Sequence, residues 1–376
     1  MPDVVVIGAG VIGLACADAL SGMGVAVTVL EARSSIAHAS SSRANGGFRA
    51  QFTTAPNIAF SAFSIRFFES MPPDLIGMHQ TGYLLLTGTD EGAASLRHAA
   101  ALQRSLGVDT VWVEPDEVGA LAPIVRRDGL VGGTFHVRDG FLDPAGVCGE
   151  LARRAATTGA RIETDRPVTS VAVREGAFDV SHPRGVERAE VVVNAAGADA
   201  RVVARLFGAD VPVEPVRRNL ALLPDAPGPL SPMVVDLDTG VLVRREPGGG
   251  WLVGYADPAD PSGRETSVDP AFVEALATRL PHRFPSLLEL PMDPRRWWAG
   301  LYPETPDHHA IVGMDRDVPG LVHCAGFGGH GVMHAPAAGR AVAELVANGA
   351  CTTFDLRPLR PGRFGDGDLI QESAVF

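Results

Sequence analysis

The chain opens on Val4-Val5-Val6-Ile7 and runs directly into Gly8-Ala9-Gly10-Val11-Ile12-Gly13, then through small residues to about Gly22. A second apolar stretch, Ala26–Leu30, ends at Glu31, 18 positions beyond the third glycine. A four-residue run with no polar alternation is what a parallel strand buried on both faces requires. The order strand, glycine turn, helix, strand predicts a parallel crossover unit. Three glycines alone would suit any tight strand-to-helix turn. With strand, helix and Glu31 all in place they point to dinucleotide binding. The helix N-terminus offers unpaired N–H groups and the positive end of its dipole to a pyrophosphate, and Glu31 can accept hydrogen bonds from a ribose. This spacing does not separate FAD from NAD.

Composition narrows the rest. At 376 residues the chain holds about two to three domains' worth of sequence and buries a large core without disulfides or metals. The net charge is −12, and no lysine occurs, so all 32 basic residues are arginine. An acidic chain argues against sequence-independent nucleic-acid binding. The lack of lysine removes Schiff-base and lysine-nucleophile chemistry. Cys16, Cys148, Cys324 and Cys351 are far apart and read as reduced thiols, neither a disulfide framework nor a zinc site. The apolar stretch Val4–Ala17 is shorter than the roughly 20 residues of a membrane helix and lacks a signal peptide's layout. The expectation is a soluble, cytoplasmic protein without a membrane partner.

Helical patterns fall at Asn57–Glu69, Pro144–Thr157, Pro270–Arg283 and Val332–Asn348. Strand patterns fall at Tyr83–Thr87, Val168–Val173, Val191–Val193, Met233–Leu237, Val241–Arg245, Trp251–Tyr255 and Leu321–Ala325. Several strands with short Gly/Pro turns between Val213 and Tyr255 suggest antiparallel sheet and a second domain. The Arg-, Pro- and Gly-rich tail after Phe354 is expected over the surface.

Three further segments bear on the cofactor. Ser40–Arg49 packs hydroxyls, Asn45, two glycines, Arg43 and Arg49 into ten residues, which suits a loop around phosphates and a flat ring. Val191-Val-Val-Asn194-Ala-Ala196-Gly197 is a strand running into small residues, where a nucleotide or merely a following helix could pass close to the backbone. Cys324-Ala-Gly326-Phe327-Gly328-Gly329-His330-Gly331 opens a helix, and its N–H groups could face an anionic oxygen such as the flavin O2. An NAD-linked dehydrogenase would not need the two later glycine-rich segments.

VVVIGAGVIGLACADAL, SSRANGGFRAQF, VVNAAGADA, WWAGLYPETPDHHAIVG and CAGFGGHGVMHAPAAGRAVAEL, in that order over nearly the whole chain, give it a clear resemblance. It resembles the FAD-dependent amine and amino-acid oxidoreductases that include glycine oxidase, sarcosine oxidase and D-amino-acid oxidase. The resemblance implies an α/β, two-domain FAD-dependent amino-acid oxidase fold, with a Rossmann-like FAD domain and a mainly antiparallel substrate domain. The FAD domain would comprise residues 1–80, 142–212 and 300–376, and the substrate domain 81–141 and 213–299. It implies FAD contacts from Gly8, Gly10, Val11, Ile12, Gly13, Glu31, Ala32 and Arg33, and from Ser41, Ser42, Arg43, Asn45, Gly46 and Gly47. Val168, Ala196, Gly197, Gly300, Gly326, Gly328, Gly329, His330, Gly331 and Val332 complete that set.

The family's substrate residues carry over unevenly. Arg49 matches the arginine that holds the substrate carboxylate in sarcosine-oxidase-like members, and a guanidinium suits a bidentate grip. The lysine that sarcosine oxidases carry after Gly-His-Gly is Met333 here, and the Gly-Leu-Arg-Pro arginine of glycine oxidases is Tyr302. With the second cation replaced, carboxylate binding would rest on Arg49 with help from Tyr302 and Tyr255, in a more apolar pocket. Gly300 stands where some relatives attach flavin to cysteine, so FAD is expected to be non-covalent, although His38 offers a side chain for attachment. His330 is a candidate for either a catalytic or a structural role. His308-His309 match no metal-ligand spacing, and no metal is expected.

The expected activity is oxidation of the C–N bond of a small or N-substituted amino acid, an N-substituted glycine first, by hydride transfer to flavin. The imine would hydrolyse to an oxo acid and an amine, with O2 or another electron acceptor as partner. Removal of an N-carboxymethyl group from a β-amino acid in natural-product assembly is one setting that the resemblance offers. The alternatives are a D-amino-acid or proline-type dehydrogenase, and a flavin-binding subunit without turnover of its own.

Overall fold

The computed structural model describes residues 3–256 and 260–374. The chain begins with β1 (Val4–Ile7), α1 (Val11–Gly22) and β2 (Val27–Leu30). Val4 pairs in parallel with Val27 on one side and Val191 on the other. All four residues of β1 are buried, which is why the run tolerates no polar alternation. These strands lie in a six-stranded sheet ordered Ile311–Met314, Leu321–Ala325, Val191–Asn194, β1, β2, Arg161–Glu163. Its pairs are parallel apart from the antiparallel edge Ile311–Met314. On one face α1 packs against the long helix Gly331–Asn348. A Cβ on Gly339 of that helix would lie 2.3 Å from the carbonyl oxygen of Ala15, so glycine sets how closely the two helices meet.

After α2 (Ala55–Glu69), the chain enters a second sheet through β3 (Tyr83–Thr87) and crosses back over it in α3 (Asp90–Ser105). The second sheet has eight strands, in the order β4 (Trp297–Glu304), Glu214–Leu223, Trp251–Tyr255, Val241–Arg245, Met233–Asp236, β3, Gly132–His136, Val111–Val113. Its pairs are antiparallel, except that Met233–Asp236 runs parallel to β3. Leu84, Leu86, Val243 and Val253 face a core closed by helix Pro270–Arg283. Tyr83, Leu85, Met233, Val235 and Leu242 occupy the opposite face, toward the site described below.

Some expectations need correction. The strand placed at Val168–Val173 begins at Ser170 and belongs to a separate three-stranded antiparallel sheet over residues 170–189. Residue 300, set as a domain boundary, falls inside β4, which pairs along its whole length with Glu214–Ala221. The first sheet resumes only at Ile311.

The tail is not a surface strap. The Arg363 side chain is fully buried and grips Asp307 with two hydrogen bonds of 2.8 and 2.9 Å. Glu372 is also buried, accepting from the Thr53 N–H at 3.0 Å, the Thr54 hydroxyl at 2.8 Å and the Asn57 amide at 3.1 Å, around the start of α2. Charged residues enter an interior when such partners meet them. All four cysteines are free, and Cys351 alone of them is partly exposed. Among the described residues no helix is long and apolar enough to cross a membrane.

Candidate active site

A cleft enclosing about 1090 Å3, its open mouth included, runs between the two sheets. At one end Gly10, Val11 and Ile12 line it, where α1 starts without a side-chain cap or an acid in its first turn. Gly8 and Gly13 do not line the cleft; they let this turn form. Gly8 has φ +105°, and a Cβ on Gly13 would lie 1.9 Å from the Gly8 oxygen. The Glu31 carboxylate accepts from the N–H groups of Ala9 at 2.7 Å and Arg33 at 2.8 Å, bracing the turn beside exposed Ala32 and Arg33. Ser41 accepts from the Val11 N–H at 3.0 Å.

The other end of the cleft is walled by Gly326, Gly328, Gly329, Gly331 and Val332, where α4 (Gly331–Asn348) begins, again without a side-chain cap or a first-turn acid. Arg43, Asn45 and Gly300 form a third wall. Arg43 donates to the Ala299 oxygen at 2.7 Å, Trp298 to the Arg43 oxygen at 3.0 Å, and Ser40 to the Leu301 oxygen at 2.7 Å. These bonds stitch the loop after β2 onto β4. Two uncapped helix N-termini and the cations Arg43 and Arg218 line this cleft, and among its described lining residues there is no carboxylate. In a chain of net charge −12, that arrangement fits a long anionic ligand, and the residues fit FAD.

The second sheet supplies the remaining wall. Tyr302, Tyr255, Arg218 and Leu242 all line the cleft. The Tyr302 ring sits against Gly329, where a Cβ would come within 2.5 Å of it, so glycine makes room for the ring there. Burial raises the Tyr302 phenol above its ordinary range while Arg218 pulls it down, and the phenol stays protonated. Tyr255 stacks on Phe272 at 5.6 Å, with the Arg279 guanidinium 4.7 Å from its ring centre. Arg49 lies behind this wall, buried, with its guanidinium 4.0 Å from the Phe52 ring centre. It donates to the main-chain oxygens of Gln51 and Ala374.

Residues 3–345 match the family described as FAD dependent oxidoreductase. The chain belongs to that family. This FAD-dependent oxidoreductase is 30% identical over 426 residues to bovine (Bos taurus) FAD-dependent oxidoreductase domain-containing protein 1, covering 99% of this chain and 87% of the relative. Its fold superposes on L-proline dehydrogenase from P. horikoshii with a TM-score of 0.93 and 27% identity, over 98% of this chain and 99% of the other. Glycine oxidase from Geobacillus kaustophilus follows with a TM-score of 0.85 and 26% identity, over 96% and 98%.

Of the cofactor residues expected in this oxidoreductase, the cleft gathers those from Gly10 to Ile12, Ser41, Arg43, Asn45, Gly197, Gly300 and the glycines from Gly326 to Gly331 with Val332. Others are placed elsewhere. The Ser42 hydroxyl turns back to the carbonyls of His38 and Ala39. Gly46 is needed for packing, because a Cβ would lie 2.1 Å from the Leu142 oxygen. Gly47 makes room for Met233 and the Tyr83 hydroxyl, both about 3 Å from a Cβ there. Val168 packs beside Phe178 and Val5 on the far side of the first sheet, and half-buried Ala196 flanks Gly197 without lining the cleft.

The His330 main chain belongs to the turn before α4, but its ring packs edge-on against Phe52 at 4.8 Å and does not line the cleft. Burial, reinforced by the Arg49 charge, drives its imidazole well below the ordinary value, so it is neutral. Met333 is buried in the core. Asp236, Asp238 and His282 bring ligand atoms within 4.8 Å of one another, but buried Arg283 already answers both carboxylates, at 3.4 and 3.3 Å.

The sequence reading passed over Arg218, Tyr83 and Glu372. Arg218 is one of two adjacent arginines before the apolar run Leu220–Leu223, and nothing in the sequence separates it from Arg217; Tyr83 is the polar-tipped residue of a strand of leucines. Glu372 gave no local signal.

Proposed function

We propose that the protein oxidises the C–N bond of a small or N-substituted amino acid, an N-substituted glycine being the first choice. The substrate loses two electrons and the hydrogen of its α C–H, and the resulting imine adds water to give an oxo acid (glyoxylate from a glycine) and an amine. FAD, when bound, supplies the two-electron acceptor. The observation that carries this reading is the lining of the cleft. Among its described residues are two arginines and two tyrosines, but no Asp, Glu or His. The Cys324 thiol, which lines it too, is held protonated by burial. Such a site attracts a carboxylate and offers no base, so the substrate amine must arrive neutral. The similarity to glycine oxidase and L-proline dehydrogenase supports the same substrate class.

Arg49 takes the carboxylate, exchanging the Ala374 main-chain oxygen for it, and the hydroxyl of Tyr302 completes the grip; Tyr255, expected to help, instead turns its ring onto Phe272 on the other face of the sheet. FAD is held without a covalent bond. A Cβ at Gly300 would lie 3.2 Å from that of Arg43, and exposed His38 does not line the cleft. The extent of the match to L-proline dehydrogenase favours a proline-type dehydrogenase as the second reading.

The test is anaerobic bleaching of the flavin band by glycine, sarcosine, D- and L-proline, D-alanine and N-alkyl glycines. Bleaching strongest with N-alkyl glycines is the expected result, bleaching by proline alone selects the second reading, and no bleaching by any of them refutes both. Because the neutral amine is the reacting form, kcat/KM should climb about tenfold per pH unit below the amine pKa. A flat profile would mean that a protein base has been overlooked.

A further inference from the structure

A second cavity, enclosing about 1020 Å3 with its mouth, adjoins the cofactor cleft. The two share Ala256 as a wall residue, and Leu85 of the second lies on the same sheet face as Leu242 of the first. Helix α3 closes the far side through Leu96, Ala99 and Gln103.

Two buried amides give this cavity its chemistry. Gln51 and Gln103 both line it, at 0% and 3% exposure. The Gln51 amide nitrogen donates to the Tyr83 main-chain oxygen at 2.9 Å and to an Asp139 carboxylate oxygen at 3.1 Å. The Gln103 amide nitrogen donates to the Phe52 oxygen at 2.8 Å. Either amide, if flipped, would press its oxygen against another oxygen, so the network fixes both orientations. Each amide oxygen is left buried without a partner. Buried acceptors without a donor are costly, and two of them on residues that line one cavity form a demand for a donor.

The rest of the wall restricts which donor fits. Arg279, which donates to the Thr239 oxygen at 2.8 Å, and Asp238 put one charge of each sign in this wall, so it favours neither an ammonium nor a carboxylate. The two amide oxygens disfavour a carboxylate. Asp238 is already met by Arg283, the Thr87 hydroxyl and the Gly88 N–H. A neutral group that donates, a hydroxyl or a carboxamide, meets all of these conditions.

We infer that the second cavity is the specificity pocket for a neutral, hydrogen-bond-donating arm of the substrate, read by Gln51 and Gln103. This rests on the proposed amine oxidation in the adjoining cleft. It replaces an apolar substituent with a hydroxyl- or carboxamide-terminated one as the preferred extension.

The experiment titrates the flavin-loaded protein with N-hydroxyalkyl and N-alkyl glycines matched in heavy atoms, from the hydroxyethyl/propyl pair upward. Binding is read from the shift of the visible flavin band, and reaction from anaerobic bleaching. At one length the hydroxyl member should bind at least about tenfold more tightly than its alkyl twin. Gln103→Leu should erase that preference while leaving the alkyl twin and sarcosine within about threefold. Ala99→Leu leaves both amides in place but fills the cavity from α3. It should weaken the long members of both series at least about tenfold and spare sarcosine. This variant decides the matter if Gln103→Leu does not fold. Equal affinity across every pair, a preference that survives Gln103→Leu, or long members indifferent to Ala99→Leu would each overturn the inference. A binding preference without bleaching by any member would instead refute the proposed reaction and leave the pocket assignment standing.

Discussion

The glycine turn after β1 and the tail that closes over Arg49 meet the same active site by opposite means. The turn is local, since its residues lie within one crossover unit and work by lacking side chains. The tail is non-local, reaching partners from 56 to more than 300 positions away with charged side chains that are fully buried, as in the hydrogen bonds from Arg363 to Asp307 and from Thr53 and Asn57 to Glu372. The first kind of construction fails by steric exclusion and the second by loss of a partner, so the two should respond differently to substitution.

Gly13→Ala should give the largest effect. The new methyl would stand 1.9 Å from the Gly8 oxygen, and backbone, unlike a side-chain tip, cannot step aside. The expected cost is more than about 4 kcal/mol, enough to open the turn. The purified variant should have lost its 450 nm absorbance relative to 280 nm by more than about tenfold. If full flavin content were retained, the turn would not be the pyrophosphate site.

Arg363→Ala should come next, at about 3–5 kcal/mol, because it leaves the Asp307 carboxylate buried without its cation, with only the Thr305 hydroxyl and the His309 N–H to answer it. The check is a urea midpoint shift in the flavin-free protein, which separates fold stability from cofactor binding. A shift below about 1 kcal/mol would mean that the tail is merely laid on the surface, as its composition suggests.

That composition misled for a physical reason. Arg, Pro and Gly in an unpatterned stretch read as solvated chain, and nothing within the tail announces Asp307, which lies 56 positions from Arg363. The β1–α1–β2 unit was legible almost to the residue, because buried parallel strands and glycine turns write themselves into contiguous sequence. Helix α3 was also locally written, with Thr89 accepting from the Gly92 N–H at 3.0 Å and Asp90 and Glu91 in its first turn, and its caps would have revealed it. Arg49 could be placed near the site, but its present partners could not, since Ala374 lies 325 positions away. Likewise the unpartnered oxygens of Gln51 and Gln103 exist only where α3 closes over the second sheet.

Glu372→Gln should have a smaller and pH-dependent effect. Burial alone would raise this carboxyl, but hydrogen bonds from Thr53, Thr54 and the Ala374 N–H outweigh it and hold the group below its usual range. A carboxylate depressed in the folded state contributes stability that is complete above its unfolded value, near about 4.3, and fades as pH falls through the folded value. The substitution should therefore cost roughly 2 kcal/mol at pH 7, and the gap to the parent should narrow below about pH 4. A gap that widened on acidification would reverse the assigned ionisation.

Arg49 joins the two constructions, for it leaves the loop after β2 and is held by the tail. If substrate carboxylate displaces the Ala374 oxygen from the guanidinium, Arg49→Ala should raise KM at least about tenfold, the equivalent of about 1.4 kcal/mol, with kcat and flavin content little changed. A merely structural Arg49 would instead lower stability and flavin content while KM stayed put. An unchanged KM would move the carboxylate to Arg218, the cation that lines the cleft itself beside Tyr302 and is paired at 2.7 Å with Asp260. Arg218→Ala would then carry the loss. Comparing the two variants shows which side of Tyr302 the carboxylate occupies, and so whether substrate must unseat the tail before it binds.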